Sequence, residues 1–358
     1  MTMLKINSPF RKKDEVIPLI KAGANELYCG YVSPEWIEKF TELEFERKGL
    51  GSNFTDLEEL KEAVKLAHQH KVPVSIAVNG LYVSSQYPLL LKTFRQLEKI
   101  GIDAVIVADL GLLLTLRKQG FRGKIHVSTG GTVFNSEAVK FYEEFGVSRI
   151  ILDRQVPLED IRKISRENPA VDFEVFILNT LCVYIDGFCT FLHARGEKEH
   201  LSEESEVNES GQERNLKIIS VYDSKSEIDA CALNYSIKAF DKNSQAINNK
   251  KIFPAFFKHS VTHKECAACA LYYIERTKVK SVKIVGRQLS ADSRLKDTLF
   301  IRSILDILKN NRNIGLQDFI MKTQKLYHAN FNKNSSAPCT GADCYHPQVL
   351  LDAKFRDR

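Results

Sequence analysis

The stretch FEVFILNTLCVYIDGFCTF carries an apolar run that ends at Cys182, then a short loop with Gly187, then Cys189. Two thiols at the end of a buried-strand pattern can ligate a metal or a cluster, provided the loop folds back to bring them to one point. Gly187 permits such a turn. Six more cysteines make eight in all: Cys29, Cys231, Cys266, Cys269, Cys339 and Cys344. Cys266 and Cys269 lie in KECAACALYYIERTK, which reads as a helix, so that both thiols share one face. Cys266 falls at the start of that helix, where the positive dipole end favours thiolates. Cys231 lies between the two pairs. A rival reading is structural zinc on Cys266, Cys269, Cys339 and Cys344, as C-x2-C and C-x4-C pairs. A third is that these cysteines are small buried hydrophobes. The zinc-peptidase pattern H-E-x-x-H and the hydrolase elbow G-x-S-x-G are absent from the sequence.

These residues must be positioned by a framework in which short apolar runs alternate with helical patterns. Strands are predicted at ELYCG, VPVSIAVNG, DAVIVADLG, KIHVSTGG, SRIILDR, VDFEVFIL and SVKIVGR, with an eighth near KIFPAFF. Helical patterns lie between most of them, such as FTDLEELKEAVKLAHQH and SEAVKFYEEFG. Continuous apolar strands alternating with helices imply a parallel sheet covered by helices. The glycine-rich turn of a dinucleotide-binding open sheet does not follow the first strand, so a (β/α)8 TIM-barrel-like domain is the preferred fold over a doubly wound sheet. Asn79, Asp109, Ser128, Thr129, Arg154 and Arg287 recur at strand C-termini, which in a barrel converge on one mouth.

The predicted organisation is a barrel-like domain over residues 1–290, followed by a short C-terminal helical extension and cysteine-containing tail over 291–358. The acidic segment 196–214, GEKEHLSEESEVNESGQER, has no apolar face and is expected to be a mobile insertion. With 44% hydrophobic and 27% charged residues, the chain can build a large core without disulfides. A net charge of +6 is too mild to argue for nucleic acid by itself. The opening MTMLKINSPFRKKDEV lacks an apolar signal region, and no run reaches membrane-spanning length. A cytoplasmic, reducing location is expected, where thiols serve as ligands rather than disulfides.

EVFILNTLCVYIDGFCTF resembles the signature of the collagenase-like peptidases, family thirty-two among those of unknown catalytic type. Glu174, Phe176, Leu181, Cys182, Gly187 and Cys189 match it in register, while Asn179 and Thr180 stand where the family has Gly and Ser or Ala. AGANELYCG, GSNFTDLEELKEAV, the block HVSTGGTVFNSEAVKFYEEFGVSRIILDRQVPLEDI and SVKIVGR are similar to further family blocks. Gln155 and Val285 replace two family glutamates, and Gly130 replaces a glutamine.

The resemblance implies a barrel and a four-iron four-sulfur cluster on four cysteines: Cys182, Cys189, Cys266 and, as third ligand, Cys231, with Cys269 in reserve. It implies oxygen-independent hydroxylation or related modification of an organic or RNA substrate, or else proteolysis. A non-catalytic cluster-bearing subunit paired with a related chain is a further alternative, favoured by the two lost glutamates. For the first activity Arg154, Arg195 and Arg287 are candidate anchors for a dicarboxylate such as prephenate, and His126 or His193 for proton transfer.

Overall fold

The computed structural model describes residues 4–40, 51–179, 185–189, 265–331 and 344–351, with four isolated two-residue strands between 206 and 247. Eight parallel strands close into a barrel. They are β1 (Lys5–Pro9), β2 (Glu26–Gly30), β3 (Val74–Val78), β4 (Ala104–Val107), β5 (Lys124–Val127), β6 (Arg149–Leu152), β7 (Asp172–Leu178) and β8 (Ser281–Ile284). Each pairs with its neighbour in sequence order, and β8 returns to β1 through Lys5 opposite Ser281. The predicted barrel is therefore present, but its eighth strand is N-terminal rather than KIFPAFF, which lies outside the described residues. KINSP escapes an apolar-run search because Lys5 and Asn7 take part in polar contacts while Pro9 ends the strand.

The helices cover the barrel: α1 (Val16–Lys21), α2 (Pro34–Lys39), α3 (Leu57–Gln69), α4 (Tyr87–Lys99), α5 (Leu110–Lys118), α6 (Ser136–Glu143), α7 (Leu158–Glu167), α8 (Leu271–Ile274), α9 (Ala291–Asn310), α10 (Leu316–Phe331) and α11 (Gln348–Leu351). Side-chain caps set several starts. Asp56 accepts from two N–H groups of α3, Asp109 from Leu112 N and Asn135 from Ala138 N. Each apolar face packs inward, as Leu60, Ala63, Val64 and Ala67 do on α3.

The helix after β8, α9, folds back on the first strand. Thr298 Oγ1 lies 2.9 Å from Ser8 Oγ, and Arg294 Nε donates to Glu15 at 2.7 Å. The sequence boundary at residue 290 thus falls between the last barrel strand and the helix that seals it. The segment 196–214 lies outside the described residues, apart from the antiparallel pairing of Glu206–Val207 with Glu213–Arg214. No helix among the described residues is long and apolar enough to cross a membrane.

Candidate active site at the barrel mouth

The C-terminal ends of β5, β6 and β7 meet around Arg154. Its Nη1 donates to Asp186 Oδ2 at 2.9 Å, and its guanidinium lies 4.3 Å over the Phe176 ring. Thr129 Oγ1, just past β5, donates to the same Asp186 oxygen at 2.5 Å. Asp186 opens the short turn Asp186–Phe188, which leads directly into Cys189. The turn seats tightly: a Cβ on Gly187 would stand 1.8 Å from Thr132 Oγ1 and 2.8 Å from Gly130 O. Glycine is required here for close approach as well as for the turn that was expected of it.

Asp153, the residue before Arg154, is buried beside this cluster. Burial first, then the neighbouring Asp186 carboxylate, push it up to about 6, with Arg154 pulling the other way. Neither of its oxygens makes a well-formed hydrogen bond. Asp153 and Asp186 thus form a close pair of carboxylates of which one is held by the Arg154 guanidinium and the Thr129 hydroxyl and the other is left to titrate.

Cys266 is not at a helix start. It sits in an extended segment that bridges antiparallel to Leu178 at the end of β7, with Asn179 N donating to Glu265 O and Ala267 N to Ile177 O, both at 2.8 Å. Only then do a 3-10 turn (Ala268–Ala270) and the one-turn helix α8 follow, with Cys269 buried in the turn. The backbone of β7 offered open hydrogen-bonding groups at its end, and these outweigh the helical propensity of ECAACAL. On its other side Cys266 bridges in parallel to Cys344, and Tyr345 N donates to Cys266 O at 3.0 Å. The Tyr345 hydroxyl donates to Asn179 O, and Arg154 also reaches it. Burial pushes that phenol up, and Arg154 opposes the shift. Asn179 takes φ +67°, a left-handed conformation that suits Gly or Asn and explains why either residue serves at this position. Its side chain donates to Val285 O and to Asp297.

Arg287 lies across the mouth and is buried, with Nη1 donating to Asn53 Oδ1 at 2.9 Å. Both side chains rest on Gly30, where a Cβ would come within 1.8 Å of Asn53 Oδ1 and 2.4 Å of Arg287 Nη1. Deeper in the barrel is a charged interior. Arg149 bonds Glu174 at 2.9 Å and Glu26 at 3.0 Å, Asn7 donates to Glu174 at 3.0 Å, and Lys283 Nζ is 3.1 Å from Glu174. His126 faces this layer, and burial, reinforced by Arg149, lowers it to about 3, so it is neutral at physiological pH. Burial alone would raise Glu174, but Lys283 and Arg149 hold it at about 2.

Of the sequence candidates, Arg154, Arg287, Cys189 and Cys266 are at or near the mouth, and His126 is in the interior. Cys182, Cys231, Arg195 and His193 lie outside the described residues. Asp109 caps helix α5 and Ser128 the 3-10 turn that follows its strand. Asp153, Asp186, Asn53 and Tyr345 were not singled out from the sequence; the only signal for Asp186 was its place between Cys182 and Cys189. The donor set suits an iron–sulfur cluster in kind, since Cys189, Cys266, Cys269 and Cys344 are thiols and Arg154 ties the Cys189 turn to the segment beside Cys266. Among the described residues no three His, Cys, Asp or Glu side chains gather as a metal site.

Comparison with known proteins places this architecture. Residues 11–205 match peptidase family U32. An uncharacterized protease of Methanocaldococcus jannaschii is 32% identical over 194 residues, which cover 53% of this chain and 44% of that protein. The tRNA hydroxylation protein P of Escherichia coli is 28% identical over 47% of this chain and 34% of its own length. A 23S rRNA 5-hydroxycytidine synthase of Escherichia coli is 25% identical over 76% of this chain and 38% of its own length. The chain thus spans between a third and a half of the length of these relatives. A solved U32 peptidase aligns with TM-score 0.40 and 17% identity, over 49% of this chain and 70% of that one. Because the family match runs over more than half of its residues, the chain belongs to peptidase family U32.

Proposed function

We propose that this protein is an iron–sulfur enzyme that hydroxylates or similarly modifies an RNA base or a related organic acceptor, with its reaction at the C-terminal mouth of the barrel. The observation that carries the reading is the meeting, around Arg154, of the turn that leads into Cys189 and the segment that pairs with Cys266. The names of two relatives, for tRNA hydroxylation and for 5-hydroxycytidine synthesis in 23S rRNA, support this class of chemistry over proteolysis. Cys182, Cys189, Cys231 and Cys266 are the proposed ligands of a four-iron four-sulfur cluster, which when bound supplies a redox-capable centre. Arg287, positioned by Asn53, gives the mouth a fixed cation for an anionic group of a substrate or co-substrate. Asp153 titrates close to neutrality and is suited to accept or return a proton.

Two measurements test the proposal. Anaerobically purified protein should be brown and contain iron and acid-labile sulfide. RNA from cells lacking the gene, digested to nucleosides and analysed by mass spectrometry, should have lost a hydroxylated nucleoside that returns on complementation. Cleavage of a peptide by metal-free protein, with an unchanged nucleoside profile, would establish the peptidase alternative instead. Activity restored only by a co-purifying homologous chain would establish the partner-subunit alternative.

A further inference from the structure

We infer that Cys344 is a ligand of the same metal centre as Cys266, taking the third-ligand position in place of Cys231 because the cluster has four thiolate sites, so that the C-terminal segment forms part of the cluster site. The inference rests on the iron–sulfur reading above and gives a role to a tail cysteine that the family resemblance leaves without one.

The argument begins with the backbone. The segment Glu265–Ala267 is the middle of three extended segments paired side by side, with the end of β7 on one side and Cys344–Tyr345 on the other. Cys266 and Cys344 are direct partners across the parallel bridge. Paired backbones run about 4.8 Å apart, and side chains directly opposite one another project to the same face. Two thiolates so placed can reach adjacent corners of one cluster without backbone movement.

The pairing is anchored independently of either thiol. Tyr345 N donates to Cys266 O at 3.0 Å, and the Tyr345 hydroxyl donates to Asn179 O. Arg154 reaches the same hydroxyl and also holds Asp186 at 2.9 Å, three residues before Cys189. One guanidinium therefore ties together the Cys189 turn and the Cys344 segment, and through the bridge Cys266. Cys344 itself is buried and Cys266 partly so, which shields a cluster from solvent and oxygen. Cys269, although closer to Cys266 in sequence, is buried in the following 3-10 turn and takes no part in the bridge.

The test uses the full chain, reconstituted anaerobically with iron and sulfide. Wild type, Cys344→Ala and Cys344→Ser are compared for iron and sulfide per chain, and for the electron paramagnetic resonance spectrum after reduction. Cys344→Ala should lose most of its iron while its metal-free form melts with metal-free wild type. Cys344→Ser should either lose iron or keep it with shifted g-values, as an oxygen ligand replaces sulfur. Wild-type iron content and unchanged g-values in both variants would overturn the role of Cys344 and leave the cluster reading intact. Should the alanine variant fail to fold, the serine spectrum alone decides, unchanged g-values again counting against the inference. Wild type that binds no iron, or binds zinc in its place, would overturn both readings together.

Discussion

Asp153 is buried at the end of β6 beside a second carboxylate, and burial with the Asp186 charge holds its pKa at about 6 against an ordinary value of 3.8. A carboxyl whose folded value is raised favours the folded state below the unfolded value. That advantage is lost as pH rises through the folded value. At pH 7.5 the ionised Asp153 is therefore a burden of at most about 3 kcal/mol, from a shift of roughly two units. Asp153→Asn should raise the melting temperature at pH 7.5 and leave it nearly unchanged at pH 3.5. An equal change at both pH values would mean that Asp153 does not titrate in this interval. Arg154 is its counterpart. Arg154→Met removes the cation from the partly buried Asp186 carboxylate, a loss of about 1–3 kcal/mol for a charged hydrogen bond left unmade. It should also expose the Cys189 turn, read as faster alkylation of Cys189 in the metal-free protein. Unaltered alkylation would show that the turn is held by Gly187 and Thr129 alone. Arg154 was legible in the sequence as a polar residue at a strand end. Asp153 was not, because nothing in LDRQ announces that the aspartate rather than the arginine would be left to titrate.

At the scale of elements, the turn Asp186–Phe188 is fitted against the β5 turn Thr129–Gly131. Gly187→Ala places a methyl 1.8 Å from Thr132 Oγ1, and Thr132 is itself in a left-handed conformation, φ +56°. The alanine variant should be destabilised by about 1–3 kcal/mol, the usual cost of overpacking. Thr132→Gly removes both the hydroxyl in the way and the strain of a β-branched residue at positive φ. The double variant should recover stability relative to Gly187→Ala alone in urea unfolding. An additive loss would mean that the two turns do not touch in solution. Seven of the eight strands were readable as apolar runs, because parallel strands buried on both faces announce themselves. KINSP was hidden by its polar interior-facing residues. The helix expected over KECAACALYYIERTK begins only at Leu271, because Cys266 is claimed by hydrogen bonds from β7 and Tyr345, two segments far away in the chain.

The whole barrel is organised around a charged interior where aliphatic layers are the norm. Glu26 on β2, Arg149 on β6, Glu174 on β7 and Lys283 on β8 form one connected group, with Asn7 and His126 facing it. Single polar residues in apolar strands such as KIHV and DFEVFIL gave no hint that they meet across the barrel, since register and closure decide which strands face one another. This arrangement makes the fold acid-sensitive, in two intervals. His126 has a folded value of about 3 against an ordinary 6.5, so the stability it confers as a neutral ring is complete above 6.5 and is lost as pH falls towards 3. Glu174, held at about 2 against 4.5, contributes stability above 4.5 that disappears as pH falls towards 2. Asp153 works in the opposite direction between 6 and 3.8, so wild type alone cannot separate the groups. The difference between wild type and His126→Asn can. Urea unfolding at a series of pH values should show that difference falling by about 1.4 kcal/mol per pH unit between 6 and 4, in favour of the variant at low pH. A difference that stays constant across that range would mean that water reaches the imidazole and that the interior opens to solvent.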